Sequence, residues 1–253
     1  MPPSPPEATL PILMRIAIFS DIHANLEALE AVLADSEEQG CDNYICLGDV
    51  VGYNADPAAC LEKVRSMGCP VVKGNHDQDC GHDTSLEMMN PVAAEALRWT
   101  REQLTPEQRQ WLARLRMVRQ VHDFTIVHST LDQPNSWNYV TNKFDAMANF
   151  TYQVTPVCFY GHTHVPRVFV RGERVQEVPA ESIAIEEGNK YFINTGSVGQ
   201  PRDGDWRASY CIYDLEQRMI VFRRLEYDIE TAQKKILAAG LPESLAERLP
   251  FGR

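Results

Sequence analysis

The 253-residue chain is short of positive charge: 24 Lys and Arg stand against 35 Asp and Glu, a formal net charge of −11. Binding along a phosphate backbone rests on many Lys and Arg contacts, so this balance argues against a groove for long nucleic acid. A small phosphorylated substrate, met locally by metal cations, remains compatible with it. Paired cysteines are also missing. The seven cysteines are odd in number and hold no Cys-x-x-Cys, which excludes a disulfide framework and points to reduced thiols in the cytoplasm. No apolar run approaches the length of a membrane span, and Met1-Pro2-Pro3-Ser4-Pro5-Pro6 lacks the basic-then-apolar character of a signal peptide. That stretch reads as a flexible Pro-rich tail over residues 1–11. Gly-x-Ser-x-Gly is absent, which argues against a serine nucleophile on an elbow turn. The Gly-rich stretch 194–202 lacks the Lys and spacing of a nucleotide P-loop. Nothing in the sequence fixes an oligomeric state.

What is present is a core-forming composition, 44% hydrophobic, enough for one domain of ordinary size over residues 12–253. Short apolar runs recur, each followed at once by polar residues. Residues 12–19 read as a buried parallel strand before Asp21-Ile22-His23, and Tyr44-Ile45-Cys46-Leu47 as a second before Gly48-Asp49. Val71-Val72-Lys73 gives a third before Gly74-Asn75-His76-Asp77. Phe124-Thr125-Ile126-Val127 precedes His128, and Val157-Cys158-Phe159-Tyr160 precedes Gly161-His162-Thr163-His164.

Helix signals fill the intervals. Asn25 caps a segment with Leu26, Leu29, Val32 and Leu33 at helical spacing, and Asp56-Pro57 and Asn90-Pro91 are further starts. Thr105-Pro106-Glu107-Gln108 has the form of a capping box. Trp99 and Trp111 are expected in the core. Residues 129–140, with Trp137 and Tyr139, form a long aromatic loop of the sort that walls active sites. After His164 the pattern turns to strands until a helix from Asp228, which suits a second sheet packed on the first.

In open α/β sheets, ligands bind outside the carboxyl ends of the strands, so polar groups in those positions can converge. Asp, His and Asn side chains are hard oxygen and borderline imidazole donors. They suit Mn, Fe, Zn, Co or Ni ions, with Mn favoured, better than an iron–sulfur cluster. If 162–164 is extended, His162 and His164 point the same way. His122, in the turn of a hairpin, and His82 are read as surface residues.

The order Asp-x-His, Gly-Asp, Gly-Asn-His-Asp, His, Gly-His-x-His resembles that of the calcineurin-like metallophosphoesterases and covers residues 21–164. The resemblance implies an α/β fold, a four-layer α-β-β-α sandwich of two mixed sheets. It implies two divalent metal ions, one held by Asp21, His23, Asp49 and His164, the other by Asp49, Asn75, His128 and His162. Asp49 would bridge them, which offsets the repulsion of cations about 3.5–4 Å apart. His76 would not be a ligand. It would protonate the leaving alkoxide or stabilise charge building on phosphorus, while Asp77 either holds the His76 tautomer or caps the next segment. Asn75 and Arg202 are the expected substrate contacts, Arg202 alternatively a structural salt bridge. The implied activity is hydrolysis of a phosphodiester, nucleotide or phosphomonoester by metal-activated water. The alternative is a metal-binding scaffold of the same fold without catalysis. Such chains usually lose the His of Gly-Asn-His-Asp or some ligands, and this chain lacks neither.

Overall fold

The computed structural model describes residues 14–253; the tail assigned to 1–11 and the start of the strand expected from 12 lie outside the described residues. The strands in chain order are β1 (Arg15–Phe19), β2 (Asn43–Cys46), β3 (Val118–Val121), β4 (Phe124–Val127), β5 (Val157–Tyr160), β6 (Arg167–Arg171), β7 (Val175–Val178), β8 (Ser182–Ala184), β9 (Lys190–Asn194), β10 (Ala208–Asp214) and β11 (Met219–Leu225). The helices are α1 (Leu26–Glu38), α2 (Pro57–Ser66), α3 (Asn75–Gly81), α4 (Pro91–Gln103), α5 (Pro106–Arg114), α6 (Lys143–Tyr152), α7 (Ile229–Ala238) and α8 (Glu243–Arg248). Strand order is β2-β1-β10-β11-β8 in a five-stranded sheet and β3-β4-β5-β9-β6-β7 in a six-stranded one.

Alternation along β1 shows how the layers form. Its side chains point by turns to opposite faces, and both faces are covered. Ile16 and Ile18 meet Phe124, Phe159, Ile193 and Tyr213 between the sheets, while Ala17 and Phe19 pack with Leu29, Val32 and Leu61 under the helices. On the far side, Phe150 and Ala146 of α6 cover Tyr160, Phe169 and Phe192 of the six-stranded sheet. Helix, sheet, sheet and helix thus make the four layers expected from the resemblance.

The strands after His164 do not form a sheet of their own. β6, β7 and β9 join one sheet, whereas β8, β10 and β11 join the other, with β10 antiparallel to β1 at its centre. The expected strand at 71–73 shrinks to single bridges, Cys46 with Val71 and Val72 with Arg116, because the chain turns at once into α3. α6 was not anticipated, although Asn142 caps it by accepting from Phe144 N and Asp145 N. Its outer face carries Phe144, Met147 and Tyr152 exposed, which blurs the apolar spacing by which a helix is read. Asp56 precedes α2 as expected but makes no cap bond; its carboxylate accepts instead from Lys235 Nζ at 2.8 Å.

One carboxylate ties the helical layer to the sheet. Asp35 of α1 accepts from Tyr210 Oη of β10 at 2.5 Å and from Arg223 Nη2 of β11 at 2.5 Å. Burial alone would raise its pKa, but the bonds from Arg223 and Tyr210 outweigh that and hold it below the ordinary value. Asp35→Ala should therefore cost about 1–2 kcal/mol in urea unfolding at pH 7, the range for a partly exposed charged hydrogen bond. A lowered carboxyl pKa gives stability that is complete above the unfolded value, near pH 3.9, and is lost as pH falls through the folded value. The gap between wild type and variant should close on acidification; a gap of the same size at pH 3 would show that the ionised carboxylate is not its source.

Candidate functional site

The loops after the strands lie side by side because they prolong the pairing of the strands themselves. Asp21 N donates to Gly48 O at 3.0 Å, His23 N to Asp49 O at 2.9 Å and Ala24 N to Val50 O at 3.0 Å, extending the parallel pair β1–β2. Gly161 N donates to His128 O at 2.9 Å in the same way beyond β4 and β5. The two sheets meet where His162 N donates to Asp21 Oδ2 at 3.0 Å.

At that seam the side chains converge. Asp21, His23, Asp49 and His164 form one group, and Asp49, His128 and His162 a second, each with its donor atoms within 4.8 Å of one another. Asp49 belongs to both. His164 Nε2 stands 3.2 Å from Asp21 Oδ1, His128 Nε2 stands 3.3 Å from Asp49 Oδ2, and His23 Nε2 stands 3.6 Å from the same Oδ2. All six side chains are buried.

Each imidazole is aimed by a backbone carbonyl on its far nitrogen. His23 Nδ1 bonds Val51 O at 3.2 Å, His128 Nδ1 bonds Leu47 O at 2.8 Å and His164 Nδ1 bonds Gln200 O at 2.6 Å. His162 is reversed, with Nε2 on Trp137 O at 2.8 Å, so Nδ1 is its inward atom. Donation from one ring nitrogen fixes the tautomer and leaves the other as a lone-pair donor. A carbonyl has no residue signature, which is why Val51, Leu47, Gln200 and Trp137 could not be named from sequence. Trp137 and Tyr139 were expected only as walls. In fact the 129–140 loop holds His162 from behind, and Tyr139 stacks on that ring at 4.4 Å.

The expectation that 162–164 is extended fails. His162 and His164 have φ of 67° and 60°, left-handed values shared by Asp21, His23, Asp49 and Tyr53. Non-glycine residues in this region are strained and collect at functional sites. Both imidazoles still reach the cluster, through turns that the tertiary bonds impose.

The Gly74-Asn75-His76-Asp77 stretch opens α3 against the same cluster. His76 N donates to Asp49 Oδ1 at 2.9 Å, and the Asn75 Oδ1 acceptor is buried with no partner. The His76 ring lies 4.8 Å from that of His23 and 4.5 Å from that of Tyr53. Gly52 supplies its seat. At φ 92°, a Cβ on Gly52 would fall 2.5 Å from His76 Nδ1. Asp77 does not hold the His76 tautomer. Its carboxylate accepts from Asp49 N at 2.8 Å, Val50 N at 2.9 Å and Gly74 N at 3.0 Å, so it caps the helix start and pins the Asp49 loop.

Burial and mutual charge set the protonation states. Burial would raise Asp21 and Asp49, yet facing imidazoles, His164 for the first and His128 for the second, hold both below the carboxylate range. Burial depresses His23, His164, His162 and His76, the last two to about 4. For His128 burial works against the charge but Asp49 and Asp21 win, lifting it to about 9. Asp77 rises to about 7, through burial and the nearby Asp49 charge.

A metal fits this donor set. Carboxylates, imidazoles and an amide oxygen are what a first-row divalent ion takes; the acids that hold a proton on His128 would equally hold a cation in its place, since binding a metal releases that proton, and Asn75 Oδ1 is a buried acceptor with no hydrogen-bond partner. Arg202 stands at the rim, its Cζ 5.7 Å from the Tyr53 ring, and makes no ion pair among the described residues. The salt-bridge alternative for it is not realised. His82 is exposed, and His122 occupies the β3–β4 turn well away from the cluster, as expected.

No helix of the described residues is long and apolar enough to cross a membrane. Residues 14–218 match the calcineurin-like phosphoesterase superfamily domain. The chain is 40% identical over 243 residues to an uncharacterized protein of Methanocaldococcus jannaschii, covering 94% of this chain and 98% of the relative. It is 24% identical over 219 residues to phosphodiesterase YfcE of Escherichia coli, covering 83% and 92%. A crystal structure of a metallophosphoesterase from Sphaerobacter thermophilus superposes with a TM-score of 0.84 at 43% identity, covering 95% of this chain and all 100% of that one. With the loop order, the sandwich and the shared-Asp cluster in agreement, the chain belongs to the calcineurin-like phosphoesterase superfamily.

Proposed function

We propose that this protein is a metal-dependent phosphoric ester hydrolase, acting as one domain on a small phosphorylated substrate. The observation that carries this reading is the pair of donor groups sharing Asp49, with His76 hydrogen-bonded to the same carboxylate through its backbone. Asp21, His23, Asp49 and His164 would hold one ion, and Asp49, Asn75, His128 and His162 the other. Manganese is favoured among Mn, Fe, Zn, Co and Ni because hard oxygens accompany the imidazoles. Bound ions of this kind supply Lewis acidity, drawing charge off phosphoryl oxygens and making water a usable nucleophile near neutral pH.

The chain's own groups do the rest. Asp49, common to both donor groups, would offer its carboxylate to either ion. His76, seated on Gly52 and kept neutral at pH 7 by burial, would offer an N–H hydrogen bond to the leaving oxygen as charge builds there. Arg202 supplies a fixed positive charge to the substrate phosphate from the rim. The seven free thiols, six of them buried, support a reducing, cytoplasmic setting.

The test is turnover of p-nitrophenyl phosphate and bis-p-nitrophenyl phosphate with each divalent ion in turn; silence with every ion, on these and on nucleotide esters, would overturn the assignment. Metal content without turnover would instead support the scaffold alternative. His76→Ala should keep its metal, measured by plasma mass spectrometry, and lose about 10²–10⁴-fold in kcat, whereas Asp49→Ala should lose both metal and turnover. Gly52→Ala should mimic the first variant, with intact metal and a kcat lowered by roughly ten-fold or more. Unchanged kcat in Gly52→Ala would separate the seat of His76 from the chemistry.

A further inference from the structure

Tyr53 stands between the histidine that faces the leaving group and the arginine at the rim. Its backbone φ is 64°, a left-handed value that is an outlier for a bulky residue. Gly52, beside it, takes φ 92° without steric conflict, and a second glycine would have eased the turn in the same way. The chain instead secures the strained residue from the next position: Asn54 N and Nδ2 both donate to His23 O, at 3.2 and 2.8 Å. Backbone strain held in place by such bonds points to a use for the side chain that bears it.

The ring meets three residues of the site. Its centroid is 4.5 Å from that of His76 and 4.7 Å from that of His23, and Arg202 Cζ lies 5.7 Å from it. The His76 Nδ1 atom is buried with no partner, so packing against Tyr53, His23 and Gly52, and not a hydrogen bond at Nδ1, orients that imidazole. Arg202 spends Nη2 on Gln200 Oε1 at 2.8 Å and its backbone N on His164 O at 3.1 Å, while its Nε is buried with no partner. A carboxylate could have fixed the same guanidinium, but it would have offset the charge and taken the N–H donors that a phosphate needs. Asp203, the next residue, is engaged by Arg224 instead. An aromatic face at this distance attracts the cation and consumes no donor.

We propose that Tyr53 is a positioning residue for both His76 and Arg202, its ring holding in one frame the imidazole that faces the leaving oxygen and the guanidinium that faces the substrate phosphate. This rests on the hydrolase reading above. The working part is the aromatic ring and not the hydroxyl, because all three contacts are made to the ring.

The test is a pair of double-mutant cycles on the metal-loaded full chain, with whichever of p-nitrophenyl phosphate and its diester is turned over. Tyr53→Leu keeps apolar bulk and removes the ring. It should raise KM about two- to thirty-fold, the span of a cation–π contact, and lower kcat by roughly ten-fold or more, as expected when a reacting group is misplaced. Tyr53→Phe keeps the ring and should recover most of both losses. In an Arg202→Ala background the KM effect of Tyr53→Leu should vanish, and in a His76→Ala background its kcat effect should vanish, with metal content at the wild-type level. A merely structural Tyr53 would lower Tm and metal content together and act independently of the other two substitutions, and that result overturns the proposal. Losses in Tyr53→Phe as large as in Tyr53→Leu would move the role to the hydroxyl and overturn it too. If wild type turns over no ester, the hydrolase reading fails and binding decides the frame. Calorimetry should then show orthophosphate bound about two- to thirty-fold more weakly by Tyr53→Leu than by wild type, with no such difference in the Arg202→Ala background. Equal losses in both backgrounds, or no orthophosphate bound by wild type, would sink the positioning role as well.

Discussion

The structure depends on one buried carboxylate at the point where two sheets touch. Asp49 is ionised under near-complete burial because His128, His76 and His23 surround it. An isolated buried charge of this kind would cost several kcal/mol, so each neighbour is there of necessity. The backbone observes the same constraint: His76 N donates to Asp49 Oδ1, and Asp77 fastens Asp49 N and Val50 N. β2, α3 and the β4 end are thereby locked around one group.

That arrangement is costly locally and is supported from outside. Asp21, His23, Asp49, Tyr53, His162 and His164 all take left-handed backbone angles, and Asn75 Oδ1 and His128 Nε2 are buried without partners. Strain and unmade bonds of this sort persist only where the surroundings over-determine them. Here the surroundings are the apolar layer between the sheets and the helical layer that Asp35 clamps to β10 and β11. The regular parts of the fold are rigid so that the irregular parts can be held out of their preferred shapes.

The periphery of the cleft is built differently from its floor. The floor is assembled from imidazoles aimed by backbone carbonyls and acids held by backbone N–H groups, with an amide oxygen beside them. Around it stand Tyr53 with Arg202 on one side and Trp137 with Tyr139 on the other. The rim groups come from loops, where side chains can change without disturbing the sheets.

Much of this was legible in the linear chain. Apolar runs ending in Asp, His or Asn marked the strand ends, and helix signals such as Asn25 and Thr105 stood where the helices begin. Donor identity is a property of residue type, so Asp21, His23, Asp49, His128, His162 and His164 could be named from sequence. What could not be read was anything set by partners remote in sequence. The left-handed turns at His162 and His164, the bond from Asp77 to the Asp49 loop, and the seat that Gly52 gives His76 all follow from contacts between distant segments. Side-chain chemistry is local and survives in a one-dimensional string. Orientation is a sum over neighbours, and only the folded chain determines who those neighbours are.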